Sequence, residues 1–378
     1  MSAGVIAGEK FRVFMTTDGV GGVWQYALEL ARGFAVRGIE TIFAVLGPSL
    51  CSAQSKEADR VPNLHVIETG LPLDWTATAP GEVDRAGRVL AELAGRYAAD
   101  VVHLNAPALA VRVEYHAPLV VVAHSCVATW WRAVRGGPMP ADFEWRTRCM
   151  ARGLAMADVI IAPSRSFAAA LTAVYGPDLK VAVVHNGRDR PSGSDGLQKD
   201  HFVLAAGRLW DEGKNIATLD RAAARMRAPV FAAGPLTGPD GSTTRYAHLR
   251  HIGQLSETEL AAWYSAAPVF ASVARYEPFG LAVLEAGRSG SALVLSDIPT
   301  FRELWEGAAL FVDGGDDLAL GHALQDLLDS PGRVRSLAAA ARARSSRYSS
   351  RAMVEATLNV YWSVSPRHQP TDRLNVAH

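Results

Sequence analysis

Cysteine is scarce, and that narrows the setting. The 378 residues contain three, Cys51, Cys126 and Cys149. An odd, sparse set without C-x-x-C spacing supports neither a disulfide framework nor a zinc site, and it fits a reducing cytoplasm. Excess charge is missing too. Lys and Arg number 38 and so do Asp and Glu, which argues against a surface that follows nucleic-acid phosphates but leaves room for a local basic cleft. No apolar run approaches the ~20 residues of a membrane span. The opening MSAGVIAGEKFRVF has no charged-then-apolar export pattern. Contact with a membrane surface stays open. Fixed-period repeats are absent as well.

Apolar residues are plentiful, at 49% of the chain, enough for more than one core. The length predicts two domains at roughly 150 residues each. Short apolar runs alternate with amphipathic stretches. Strands are expected at 11–16, 41–46, 64–67, 100–104, 118–123, 158–162 and 181–184, with a helix over 23–37. Residues 186–200, NGRDRPSGSDGLQKD, carry no apolar period and read as a linker. The alternation then restarts. Strands are expected at 202–206, 229–233, near His251, 268–273, 292–295 and 309–312. Helices are expected at 215–226, 256–266, 281–289, 317–329, 335–347 and 351–362. Strands alternating with helices imply parallel sheets covered on both faces. The fold class is therefore α/β, with two facing domains at 1–190 and 191–350, a helix at 351–364 and a frayed tail at 365–378. Ligands in such folds lie beyond the carboxyl ends of the strands.

Three segments sit just after strands and carry chemistry. The first is EPFGLAVLEA, 277–286, in which seven residues separate Glu277 from Glu285. Phe279-Gly280 marks a turn and Leu281 opens a helix, whose first N–H groups can hold an anion or a sugar hydroxyl. One carboxylate can hold a sugar while the other accepts two ribose hydroxyls. The plainer alternative is a helix start with a solvated glutamate. The second is GRLWDEGKN, 207–215, where Arg208 and Lys214 flank one loop and can neutralise a departing diphosphate without a metal. Ordinary surface charge is its alternative. The third is DGVGGV, 18–23, a Gly-rich turn that lacks the G-x-G-x-x-G spacing of a dinucleotide site. The backbone of Gly21 and Gly22 can face a diphosphate.

As an ensemble these segments resemble the retaining nucleotide-sugar glycosyltransferases of the GT-B fold, family 4, with their E-x7-E signature. VVHNG at 183–187, IIAPSRS at 160–166 and SDIPTFREL at 296–304 support the resemblance, which covers most of the chain. It implies two facing Rossmann-like domains and a UDP-, GDP- or ADP-sugar donor, with no cofactor or metal. It places Glu277 beside the donor sugar, Glu285 on the ribose, and Arg208 and Lys214 on the diphosphate. Phe279, Gly280 and Leu281 belong to the donor pocket, and Gly21-Gly22 to the N-terminal glycine loop. It also puts His124 near the sugar, the Gly253-Gln254-Leu255 backbone along the base, and a last helix back on the first domain. Two departures concern the sugar pocket. Ser272 lies within ASVARY where the family has Pro-Ser, and Ala286-Gly287-Arg288-Ser289-Gly290 replaces Ala-Met-Ala-x-Gly.

Other residues have quieter readings. His103 reads as a satisfied core-edge histidine, and Asn105 as an acceptor-pocket candidate. Trp130, Trp131, Arg132 and Arg135 either line an acceptor or membrane surface or cover a helix of the same chain. Asp313, Asp316 and Asp317 read as helix capping rather than a metal site. The expectation is a hexosyltransferase acting on a small-molecule, glycan or lipid-linked acceptor. The rivals are a sugar-nucleotide 2-epimerase of similar fold and a non-catalytic sugar-nucleotide binder.

Overall fold

The computed structural model describes residues 10–189, 200–239 and 241–365. Seven strands form the first sheet: β1 Arg12–Asp18, β2 Glu40–Leu46, β3 Leu64–Glu68, β4 Val101–Leu104, β5 Leu119–Val122, β6 Val159–Ala162 and β7 Val181–Val183. Their order is β3-β2-β1-β4-β5-β6-β7, with every pair parallel. Alternate side chains feed two cores, Phe14 and Ile42 on one face, Val13, Met15 and Phe43 on the other. Burial on both faces is why these strands read as unbroken apolar runs. The covering helices are α1 Gly22–Ala35, α2 Ser52–Asp59, α3 Pro80–Arg96, α4 Val127–Val134, α5 Ala141–Met156 and α6 Arg165–Tyr175.

The second sheet is also parallel. Its strands are β8 Val203–Ala206, β9 Val230–Ala233, β10 Arg250–His251, β11 Val269–Ser272, β12 Ala292–Ser296 and β13 Leu310–Val312, in the order β10-β9-β8-β11-β12-β13. Around it lie α7 Ile216–Ala223, α8 Glu257–Ala266, α9 Leu281–Arg288, α10 Pro299–Trp305, α11 Asp317–Leu328 and α12 Pro331–Ser345. In each sheet the order reverses beside the first strand, between β1 and β4 and between β8 and β11. Such switch points open a crevice at the carboxyl ends of the strands. The loops after β1 and β8 are DGVGG and GRLWDEGKN, so topology brings both segments to the crevice.

The last helix, α13 Ser350–Val364, packs on α1 of the first domain. Tyr361 lies against Phe34 with the rings tilted and their centroids 5.8 Å apart, and Trp362 meets Phe11 edge-on at 4.7 Å. Gly33 makes room for Val354: a Cβ there would fall 2.4 Å from Val354 Cγ2. The linker reading needs correction at its start. Asn186 is buried, Gly187 lies against the Ser349 carbonyl, and Arg188 is ion-paired. Residues 190–199, with the expected domain boundary, and the tail 366–378 lie outside the described residues. Among the described residues no helix is long and apolar enough to cross a membrane.

Candidate active site

The loop from β11 to α9 is tied down on three sides. The backbone N–H groups of Arg275 and Tyr276 donate to the Gly213 carbonyl at 2.9 and 3.2 Å. The Tyr276 hydroxyl accepts from the Cys126 N–H (3.1 Å) and pairs with Thr129 Oγ1 (2.8 Å), both in the first domain. Ser164 Oγ donates to the Pro278 carbonyl at 2.7 Å. Gly280 then takes φ 92°, a left-handed conformation that glycine adopts without strain, and α9 begins. This anchored loop sets Glu277 with its Oε2 2.5 Å from Lys214 Nζ. The glutamate of the first motif and the lysine of the second thus converge, 63 residues apart in sequence.

The lysine loop has its own scaffold. Asn215, at φ 56°, donates through Nδ2 to the Val273 and Gly314 carbonyls at 3.0 and 2.7 Å, stitching three strand ends together. Asp211 is buried and holds Arg208 Nη2 at 2.9 Å, the Gly213 N–H at 2.8 Å and the Trp130 indole N–H at 3.0 Å. Arg208 keeps 56% of its side chain exposed, so its guanidinium has donors to spare. Trp130 had two readings, lining an acceptor surface or covering an element of the same chain. Its N–H is committed to Asp211 across the domain boundary, next to an Arg135–Glu212 ion pair. Gly253 lies beside the same loop: its carbonyl accepts from the Gly234 N–H at 2.8 Å, and Gly234 packs so tightly on Gly207 that a Cβ would sit 1.8 Å from the Gly207 oxygen. Gln254 and Leu255 continue from there toward α8.

Glu285 has a different environment from the one its sequence position suggests. Arg188 Nε lies 2.9 Å from its Oε1, and Arg188 also binds Glu257 at 2.5 Å. Burial raises the Glu285 carboxyl above its ordinary value, while Arg188 and a hydrogen bond from Tyr264 oppose that rise. Burial likewise works against the Arg188 charge, but Glu285 and Glu257 outweigh it and hold the guanidinium above its usual range. A narrow crevice runs past this pair between α1 and α9, lined by Gln25, Tyr26, Glu29, Asn186, Gly187, Arg188 and Leu281. Gly21 takes φ 94° just before α1, and a Cβ on Gly22 would come 3.6 Å from Leu281 Cδ1. The glycine loop and the start of α9 are therefore brought together across the domains. Phe279 is not part of this surface. It is 4% exposed, packed against Tyr348 and His185, and serves the core.

His124 lies at the end of β5, with its Nε2 2.8 Å from Asn105 Oδ1 and the Tyr26 ring edge-on at 4.7 Å. Burial lowers its pKa to about 4. Asn105 is a hub rather than an open acceptor contact: its Nδ2 donates to the Thr16 carbonyl at 2.6 Å, and its Oδ1 also meets His103. Asp316 caps α11 through the Ala319 N–H, Asp313 accepts from the Gly315 N–H, and Asp317 pairs with Arg221 and Arg225. Sequence reasoning missed Arg188, Asp211, Asn215 and Glu303. Glu303 reaches from α10 to the start of α6, accepting from the N–H groups of Arg165 and Ser166, with its carboxyl drawn down to about 2; burial opposes that shift, while His185 and the α6 donors outweigh it. The only sequence signal for Asp211 is its spacing, three residues after Arg208.

Two parallel-sheet domains that meet over a cationic loop and a helix-start glutamate define the GT-B class of sugar-transferring enzymes. Residues 20–190 match the family described as Glycosyltransferase Family 4, and residues 242–344 match Glycosyl transferases group 1, together well over half of the chain. The chain belongs to family 4 of the glycosyltransferases and is an enzyme that transfers sugar. It is 29% identical over 402 residues to D-inositol 3-phosphate glycosyltransferase of Xylanimonas cellulosilytica, covering 93% of this chain and 94% of that protein. It is 28% identical over 332 residues to glycogen synthase of Mycobacterium tuberculosis, covering 80% and 78%. In fold it is similar to sucrose-phosphate synthase of Thermosynechococcus elongatus, with a TM-score of 0.79, 18% identity and coverage of 95% and 100%. The Anabaena protein Alr3699/HepE in complex with UDP-glucose gives a TM-score of 0.71 at 18% identity, covering 93% and 99%.

Proposed function

We propose that this enzyme is a retaining, metal-independent hexosyltransferase that takes its sugar from a nucleoside diphosphate donor. The observation that carries the reading is the convergence of Lys214 and Glu277 beside the left-handed Gly280 turn, with Arg208 held by Asp211 on the same loop as Lys214. Two cations on one loop neutralise the leaving diphosphate, and the α9 N-terminus adds oriented N–H groups. Glu277 takes the sugar. As the bond from the anomeric carbon to the diphosphate oxygen breaks, positive charge develops on the sugar and negative charge on the leaving group. With retention, the acceptor oxygen approaches on the face being vacated. The nearest base for its proton is then the departing phosphate oxygen, so no separate base is required. Closure of the two domains keeps water from the same carbon. The acceptor hydroxyl enters from the first domain, past His124. The UDP-glucose complex of the Anabaena neighbour and the inositol-phosphate acceptor in the name of the Xylanimonas relative support a nucleotide-sugar donor and a hydroxylated acceptor.

A melting-temperature panel of UDP-, GDP- and ADP-sugars identifies the donor, since a ligand at about 100 times its Kd stabilises by about 2.7 kcal/mol. With that donor and an acceptor library, transfer is expected to persist in EDTA and to give a product of unchanged anomeric configuration by NMR. Glu277→Gln should lower kcat and kcat/KM together without weakening nucleoside diphosphate binding, since the substitution also releases Lys214 from its ion pair. Loss of transfer in EDTA with recovery in magnesium would remove the metal-free mechanism. An isomerised donor formed without acceptor would replace the transferase reading with the epimerase one.

A further inference from the structure

The last helix reaches the candidate site through a chain of buried polar groups. Tyr361 of α13 and His103 of β4 are both fully buried, with the Tyr361 hydroxyl 2.6 Å from His103 Nδ1. His103 Nε2 lies 3.2 Å from Asn105 Oδ1, and His124 Nε2 lies 2.8 Å from the same oxygen. The orientation of the Asn105 amide follows from its other end, where the nitrogen donates to the Thr16 carbonyl at 2.6 Å. An amide oxygen only accepts, so both imidazoles donate to it from Nε2. Burial keeps both rings neutral, with pKa values lowered to about 3 for His103 and about 4 for His124. A neutral imidazole carries one N–H, so each Nδ1 is a lone pair. Tyr361 therefore donates into His103 Nδ1. Without that donor His103 can carry its proton on Nδ1, and its Nε2 lone pair then faces the Asn105 oxygen. The Thr16 contact keeps the amide from flipping, but repulsion between that lone pair and the Asn105 oxygen pushes the oxygen out of line with His124 Nε2, so the His124 tautomer is less firmly dictated.

We propose that Tyr361 is a positioning residue for the transfer reaction, which through His103 and Asn105 locks His124 as the Nε2–H tautomer and so gives the site a hydrogen-bond acceptor at His124 Nδ1. The ligand group that suits this nitrogen is a hydroxyl of a sugar or polyol. The lock is a property of the fold; its catalytic use rests on the placement of His124 beside the substrate. The relay spans 258 residues of sequence between Tyr361 and His103, so the final helix contributes to chemistry as well as to packing.

The test uses the full chain labelled with 15N-histidine. Long-range 1H–15N correlation spectra at pH 7, assigned with His103→Gln and His124→Gln, are expected to show both rings as Nε2–H tautomers. Tyr361→Phe should shift His124 to a tautomer mixture and lower kcat about five- to tenfold, the worth of one hydrogen bond, with donor KM unchanged. In a His124→Gln background the same substitution should have no further effect. Val354→Ala, which loosens the same helix, should lower Tm yet leave the tautomers alone. A wild-type His124 protonated on Nδ1 overturns the lock, and that spectrum decides even if Tyr361→Phe fails to fold. Unchanged tautomers in a folded Tyr361→Phe, or full additivity with His124→Gln, overturn the relay. Tautomers as described in an enzyme that transfers from no nucleotide sugar would instead overturn the transferase mechanism, leaving the hydrogen-bond chain in place.

Discussion

Lys214 and Glu277 neutralise each other at 2.5 Å, and Arg208 leans on Asp211, so the site is electrically self-satisfied before a ligand arrives. A diphosphate must compete with those carboxylates for its cations. Lys214→Ala and Arg208→Ala are each expected to weaken nucleoside diphosphate binding by about 1.5–3 kcal/mol, the worth of a charge-assisted hydrogen bond. Titration calorimetry reads this directly, and unchanged affinity in both variants removes the assignment. Other single residues act through burial. His103 has its pKa lowered from 6.5 to about 3 by burial, so below pH 6.5 the unfolded chain binds a proton that the folded chain does not. Its contribution to stability is intact above that pH and lost as pH falls through the window, at about 1.4 kcal/mol per unit. Asp18 works the other way: burial raises it to about 6, a cost that acid relieves. The informative quantity is therefore a difference. The unfolding free energy of wild type minus that of His103→Gln should decline as pH drops from 6.5. Denaturant titrations that give a flat difference would mean the ring is not held neutral.

At the scale of elements, the strands were the most legible part of the sequence, because strands buried on both faces show as continuous Val, Ile and Leu runs. The helices of the first domain were less so. α5 buries only Cys149, Met150, Gly153 and Leu154 among its 16 residues, and α2 only Ala58, so neither displays a broad apolar stripe. The E-x7-E helix and the GRLWDEGKN loop could be read because each is one continuous segment. The partners that finish the site could not. Arg188 lay in what looked like linker, Tyr276 reaches its partner Cys126 across 150 residues, and Glu303 caps a helix 137 residues away. Each is set by tertiary packing, which leaves no local periodicity. Glu285 shows the limit well: its place on the helix was legible, whereas the guanidinium opposite it was not. The α1–α13 contact yields a further test. Gly33→Ala would place a Cβ 2.4 Å from Val354 Cγ2 and 3.1 Å from Val354 Cβ, so the helices must separate rather than one side chain rotate. The expected loss is about 1–3 kcal/mol, read from the denaturant midpoint. Most of it should return in Gly33→Ala/Val354→Ala, and a neutral single variant would show that this packing is loose.

The whole molecule is held closed by contacts that also touch the chemistry. Trp130 of the first domain fixes Asp211, which fixes Arg208 of the second. Trp130→Phe keeps an aromatic side chain, though a smaller one, and removes the N–H donor. It should shift the enzyme toward an open form, with a larger radius of gyration by small-angle scattering and a lower kcat. Nucleoside diphosphate affinity should stay within about twofold, since both cations remain on one domain. An unchanged radius together with unchanged kcat would mean the clasp has no bearing on closure. The path of the chain has a consequence of another kind. The first domain is not finished when its seventh strand is made, because α13 supplies Met353, Val354, Leu358 and Tyr361 to its core. On the ribosome, with synthesis at about 5–20 residues per second, α1 must wait for the whole second domain to emerge before its outer face is covered. The nascent first domain therefore spends that interval with an apolar groove open to chaperones, and a helix translated after the second domain closes the domain that was begun first.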